Sequence, residues 1–157
     1  MTKTNAARIL DAAGLSYELR DYAVNEEHMA APEVAEAIGM PPEQVFKTLV
    51  ARGDRSGILL AVIPANTELD LKALAAASGN KKIDLVPVKE VLALTGYVRG
   101  GVSPVGTKKV FTVYLDETAM LWDRIAVSAG ARGRQMVLGP ADLARVSGAT
   151  LCDITLR

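Results

Sequence analysis

The sequence predicts one α+β domain in which helices flank a mixed, strongly twisted sheet, and three observations carry that expectation. The chain has 157 residues, a length suited to one hydrophobic core. Half of them are apolar and 23% are charged, a globular balance that argues against disorder. Helical and alternating apolar patterns interleave without regular βαβ repetition, and no internal repeat, linker or charge block marks a boundary, so residues 1–157 read as a single domain.

In chain order, "TNAARILDAAG" has apolar residues at helical spacing, with Thr4 placed to cap the helix and Gly14 to stop it. "LSYELRDYAV" alternates as a half-buried strand does, and "APEVAEAIG" puts Pro32 at a helix start and Gly39 at its end. Two apolar runs in "QVFKTLVARGDRSGILLAVIP" surround a Gly-Asp and Ser-Gly turn cluster, the form of a hairpin. Both runs are apolar on both faces, which assigns them to the middle of a sheet. "ELDLKALAAASG" and "PVKEVLALTG" are short amphipathic helices, the second opened by Pro87 and closed by Gly96. "KVFTVYLDE", "RIAVSAG" and "RQMVLG" read as strands, "PADLARVSG" as a helix beginning at Pro140, and "TLCDIT" as a last strand.

Composition excludes several classes of function. Lys plus Arg and Asp plus Glu both number 18, so no global positive field draws the chain to nucleic acid, and any such contact has to be local. "MTKTNAARIL" lacks the apolar core of a signal peptide, and no run approaches the ~20 apolar residues of a membrane span, which makes the cytoplasm the expected location. Cys152 is the only cysteine and His28 the only histidine. An internal disulfide and a Cys/His zinc site are thereby excluded, as is any nucleophile-histidine pair beyond these two. Cys152 reads as a packed thiol in a strand, and His28 as a solvated loop residue with a binding role as its alternative. No metal or other cofactor is expected, because no ligand cluster is visible.

Four stretches could carry chemistry. "GYVRGGVSPVG", residues 96 to 106, holds Gly96, Gly100, Gly101 and Gly106, which leave backbone N–H groups open to a ligand oxygen. A tight helix-to-strand connection is the alternative, although one or two glycines would serve it. The stretch matches neither a Walker A loop nor a dinucleotide fingerprint, while Arg99, Lys108 and Lys109 could hold a phosphate or simply be solvated. In "VFKTLV", Lys47 shares a strand face with Val45 and Leu49 while Phe46, Thr48 and Val50 fill the other, so its ammonium must pair, reach water or face a pocket. Past the next strand, Asn66 and Thr67 can recognise a polar ligand or support the turn, with Asp70 capping the helix that follows. Ser128, Gly130 and Gly133 in "VSAGARG" repeat the small-residue theme, and two glycine-rich strand ends could wall one pocket.

Taken in order, "TNAARILDAAGLSYELRDY", "VFKTLV", "IPANTELDLKALA", "KKIDLVPVKEVLALTGYVRGGVSPVGTKK", "YLDETA" and "VSAGARGRQMVLGPADL" resemble the YbaK family of aminoacyl-tRNA editing domains over essentially the whole chain. The resemblance implies a sheet that folds toward a barrel and hydrolysis of mischarged tRNA in trans, most closely Cys-tRNA(Pro). Prolyl-tRNA synthetase is the implied partner beside the tRNA acceptor end, and neither DNA nor a membrane is expected. Lys47 matches the family's critical lysine, and Gly100 to Pro104 match its Gly-x-x-x-Pro-like loop. Tyr22, Thr48, Asn66 and Ser128 align with pocket positions. On this reading the N–H groups of Gly100, Gly101 and Val102 stabilise an ester oxyanion, and Arg99, Ser103, Pro104 and Gly130 lie beside the substrate. The resemblance further implies that the thiol of the esterified cysteine attacks its own carbonyl, so that the substrate supplies the missing nucleophile. The alternatives are a deacylase for another ester such as Ala-tRNA(Pro), a non-catalytic module that binds the synthetase or the tRNA end, and a binder of small anions.

Overall fold

The hairpin expected from the paired apolar runs forms the middle of the structure, a computed structural model that describes residues 3–24 and 29–156. His28 lies outside the described residues. The elements follow in the order α1 (Asn5–Ala12), β1 (Glu18–Asp21), α2 (Ala31–Ile38), β2 (Phe46–Gly53), β3 (Gly57–Pro64), α3 (Leu71–Ser78), β4 (Ile83–Leu85), α4 (Val88–Thr95), β5 (Thr112–Asp116), β6 (Ile125–Ala131), β7 (Arg134–Leu138), α5 (Pro140–Ser147) and β8 (Thr150–Cys152). Single 3-10 turns at Pro42–Gln44 and Glu117–Leu121 join some of them.

Local chemistry sets the helix ends. The Thr4 hydroxyl accepts from the Ala7 amide at 3.2 Å and the Asp70 carboxylate from the Ala73 amide at 3.0 Å, each satisfying a donor that the first turn leaves open. Gly39 and Gly96 close α2 and α4 in the left-handed conformation.

Five strands pair in the order β4-β2-β3-β5-β8 and three in the order β1-β7-β6. β2 and β3 are antiparallel from Phe46 opposite Pro64 to Gly53 opposite Gly57, while β3-β5 and β5-β8 are parallel. Between the two sheets lies the main core, with Phe46, Leu60, Val62 and Leu115 from one and Ile125, Val127, Met136 and Leu138 from the other. Each such side chain contributes roughly 1.5–3 kcal/mol through burial. Two smaller clusters occupy the outer face, one under α2 and one under α3.

Two expectations need correction. The strands do not close toward a barrel: they form two sheets whose backbones meet at one isolated parallel bridge, Val45 to Ala126. β6 bulges between Ser128 and Ala131, where two extra residues break its register with β7, and a bulge bends its strand away from a neighbour. The second is β4, which the sequence reading left out. It is a three-residue edge strand in a charged stretch, held in place by its pairing with Arg52 and its neighbours on β2.

Candidate active site

Strand alternation divides the residues of β2 between two faces. Val45, Lys47, Leu49 and Ala51 share the outer one. Val45 belongs to the cluster under α2 with Ile38, Met40 and Ala126, whereas Leu49 and Ala51 pack with Ile63 and Leu74 under α3. Lys47 falls between the clusters and is half-buried. Its ammonium donates to the Ala65 carbonyl at 3.3 Å, and no carboxylate among the described residues forms an ion pair with it. Burial pushes the Lys47 pKa down from the ordinary lysine range, and the more distant Glu68 charge opposes that shift.

The bridge places further groups beside this lysine. Val45 and Ala126 are aligned in parallel, and Lys47 and Ser128 each lie two residues beyond them on the same face. Ser128 stands opposite Gln135 on β7, and Gln135 opposite Arg20 on β1. Ser128 is buried, its hydroxyl accepting from the Gly130 amide at 3.1 Å across the bulge. Arg20 turns to α2, donating to the Ile38 carbonyl at 3.0 Å. Tyr22 packs against the cluster under α2. Asn66 follows the carbonyl that holds Lys47 and donates to Glu43 at 3.0 Å. Thr67 supports the turn through the Pro64 carbonyl, the structural role that sequence had offered as its alternative.

Gln135 is the residue sequence reading missed. It is 5% exposed, and its side-chain carbonyl oxygen is buried with no hydrogen-bond partner among the described residues. A buried acceptor left open is uncommon enough to require an explanation, and a donor brought by a ligand is one. The signal was present in "RQMVLG", where Gln135 is a polar residue on the face of Val137, as Lys47 is on the face of Val45.

The glycine loop approaches from the other side. Val102, Tyr97 and Val105 pack into the main core, the face toward which Thr48 also points. The Thr48 hydroxyl is buried without a partner among the described residues and does not share the face of Lys47. Tyr97 pins the loop by donating to the Val105 carbonyl at 2.7 Å, and added methyls at Gly106 and Gly130 would meet its ring or hydroxyl at 2.8 Å. At Gly101 a methyl would lie 3.0 Å from the Arg132 nitrogen, so the loop rests directly on the end of β6. Close packing therefore uses the bare backbone at these three glycines.

The expected oxyanion donors change accordingly. The Gly101 amide donates to the Val98 carbonyl at 2.9 Å and is committed to a turn, whereas the amides of Gly100 and Val102 have no protein partner among the described residues. Ser103 and Pro104 are buried, and the Ser103 hydroxyl accepts from the Val105 amide at 3.2 Å, so these two shape the loop from within. Arg99 is exposed and its carbonyl is held by Arg132 at 2.9 Å. The structure thus gathers Lys47, Ser128 and Gln135 on one face of the β2-β6 seam, with Tyr22 on the neighbouring α2 cluster. Gly130 and the Gly100–Pro104 loop lie at the far end of β6, and Asn66 and Arg99 are exposed.

Cys152 is remote from this group, on β8 beside β5. Burial and the charges of Asp116, Glu117 and Asp153 push its thiol up to about 11, so it is protonated at neutral pH. Among the described residues no three His, Cys, Asp or Glu side chains converge as metal ligands would, and no helix is long and apolar enough to cross a membrane.

Comparison with known proteins bears on this arrangement. Residues 25–146 match the family described as the aminoacyl-tRNA editing domain. The chain is 44% identical over 155 residues to EbsC of Enterococcus faecalis, a candidate Cys-tRNA(Pro)/Cys-tRNA(Cys) deacylase, covering 99% of this chain and 94% of that one. It is 30% identical to the multifunctional Ser/Thr-tRNA deacylase ProXp-y of Escherichia coli, over 85% of this chain and 83% of that one. A crystal structure of a candidate trans-editing enzyme for prolyl-tRNA synthetase superposes with a TM-score of 0.85 at 25% identity, over the full length of both chains.

Proposed function

The chain belongs to the aminoacyl-tRNA editing domain family, and from that premise we propose that it hydrolyses mischarged tRNA in trans, with Cys-tRNA(Pro) as its substrate and prolyl-tRNA synthetase as its functional partner in the cytoplasm. The observation that carries this reading is the setting of Lys47: one half-buried ammonium with no ion-pair partner among the described residues, in a seam beside the open acceptor of Gln135. An ammonium so placed attracts the phosphate or the developing oxyanion of an ester, and an open acceptor suits the α-ammonium of an esterified amino acid.

In this reading the thiol of the bound cysteine attacks its own carbonyl. A C–S bond forms, the ester C–O bond breaks, and the thiol proton passes to the departing ribose hydroxyl, giving a cyclic thioester that water later opens. The protein orients the two groups, which converts the attack into a favoured intramolecular step. In this reading the loop's part in stabilising the oxyanion falls to the amides of Gly100 and Val102, since the Gly101 amide is engaged.

Purified protein incubated with Cys-, Ala- and Ser-tRNA(Pro) tests the proposal through the time course of ester loss. Preferential loss of cysteine, abolished in Lys47→Ala, is the expected result. Equal loss of serine and cysteine would overturn thiol assistance and favour the substrate range named for the E. coli relative. No loss of any ester with the synthetase present would leave a binding module.

A further inference from the structure

We propose that the end of the five-stranded sheet around the β2-β3 turn docks the phosphate backbone of the tRNA duplex whose ester is cleaved at the other end of β2. The proposal rests on the editing reading for the identity of the RNA, and on the following geometry for the surface.

Tertiary hydrogen bonds bolt four separate segments together at this end. The Asn80 side chain, 8% exposed, accepts from the amides of Arg55 and Ser56, both at 2.9 Å. It also donates to the hydroxyls of Ser56 and Ser78. Asp54 accepts from the amides of Lys81 at 2.9 Å and Lys82 at 3.1 Å, which fastens the α3-β4 connection to the β2-β3 turn. Arg52 pairs with Glu90 of α4 at 3.1 Å. The Lys108 amide donates to the Thr95 carbonyl at 2.8 Å, and Lys109 lines a groove of about 380 Å³ with Ser56, Ile58 and Leu94.

Charge at this end is one-sided. Asp54 is engaged by backbone amides, Glu90 by Arg52, and Asp84 lies 3.8 Å from Lys82. Arg55, Lys81, Lys89, Lys108 and Lys109 are exposed, and among the described residues none of them has an ion-pair partner. Among the described residues at this end only Asp54, whose charge acts on Arg55, offsets these five exposed cations, so the end carries a positive surplus in a chain whose formal net charge is zero. They are spread over a turn, a loop, a helix start and a second loop, which suits an extended polyanion better than a single phosphate. Duplex RNA is such a partner, recognised by backbone and shape. Lys47 and Gly53 are six residues apart on β2, about 20 Å at the strand rise. An unpaired acceptor end can therefore reach the seam while its duplex lies over the turn.

The test is a variant carrying Arg55→Gln, Lys81→Gln, Lys108→Gln and Lys109→Gln, whose exposed side chains make no ion pairs that folding would lose. Affinity for uncharged tRNA(Pro) is measured across a salt series, and hydrolysis is followed for Cys-tRNA(Pro) and for cysteine esterified to adenosine. The expected result is a loss of tRNA affinity of about tenfold or more at low salt. The slope of log affinity against log salt should shrink by about four, with cleavage of the short ester unchanged. An unchanged affinity and slope would overturn the proposal. So would an equal loss from Val110→Ser, since Val110 is fully exposed on the same segment and would reveal docking by apolar contact. Should the unaltered protein cleave neither ester, the editing reading fails instead, and the salt slope still decides the surface.

Discussion

The two ends of β2 hold the same kind of charge in opposite settings. At one end a single ammonium, Lys47, is half-buried between two apolar clusters and, among the described residues, hydrogen-bonds only to a backbone carbonyl. At the other, five exposed cations surround a turn whose carboxylates are already engaged. Solvent makes the difference. Removed from water, one charge acts strongly on whatever enters the seam, whereas hydrated charges are weak singly and add up only along a long polyanion. On the proposed reading, chemistry and affinity are thus separated along one strand.

The largest expected effect breaks the buried end. Lys47→Ala should lower Cys-tRNA(Pro) hydrolysis by about 100-fold or more. Its thermal midpoint should hold or rise, because a desolvated ammonium with no ion-pair partner among the described residues is removed. A pH series on the unaltered protein sharpens the point. Burial lowers the folded-state pKa of Lys47, so its ammonium is lost at a lower pH than that of a free lysine, and activity should fall ahead of the ordinary lysine range. In the window between the folded and unfolded pKa the unfolded chain binds more protons, so this group's contribution to stability rises with pH there. Opposite trends in denaturant midpoints would count against a desolvated Lys47.

Next in size is Gly101→Ala, which forces a methyl against backbone atoms of Ala131 and Arg132 that cannot swing aside. Stability should drop by about 1–3 kcal/mol, with hydrolysis falling further than the folded fraction does. At the cationic end, Asn80→Ala should cost about 1–2 kcal/mol in urea unfolding by freeing two part-buried amides, with tRNA affinity reduced and the rate per folded molecule at saturating tRNA unchanged. The smallest effect belongs to Cys152→Ala. Its thiol is protonated and remote, so deacylation time courses should match those of the unaltered protein.

Much of the fold was legible because its signals are local. Thr4, Asp70, Gly39 and Gly96 act on their own helix ends, and the β2-β3 hairpin is written in one continuous stretch. Lys47 was legible because a cation on an apolar strand face conflicts with its neighbours. What escaped depends on distant partners. β4 is three residues long and exists through its pairing with β2, and the bulge that separates the sheets appears only once β6 is registered against β7. Gly101, Gly106 and Gly130 suggested open backbone, yet their freedom is spent against Tyr97 and the end of β6. Arg55, Lys81, Lys89, Lys108 and Lys109 are scattered along a neutral chain, and only the tertiary bonds of Asn80 and Asp54 collect them.

The single bridge between Val45 and Ala126 has an evolutionary consequence. Where two strands share a continuous ladder, their spacing is dictated by hydrogen bonds and a lineage can change it only by re-registering the pair. Beyond this bridge no ladder joins β2 and β6, so the gap between them is set by the bulk of the side chains that meet there. If the seam holds the ester as proposed, substituting one of these by a methyl or two changes the size of ester admitted without disturbing any strand. Descendants of one ancestral scaffold can therefore drift from one misplaced amino acid to another by point mutation, each intermediate still folded.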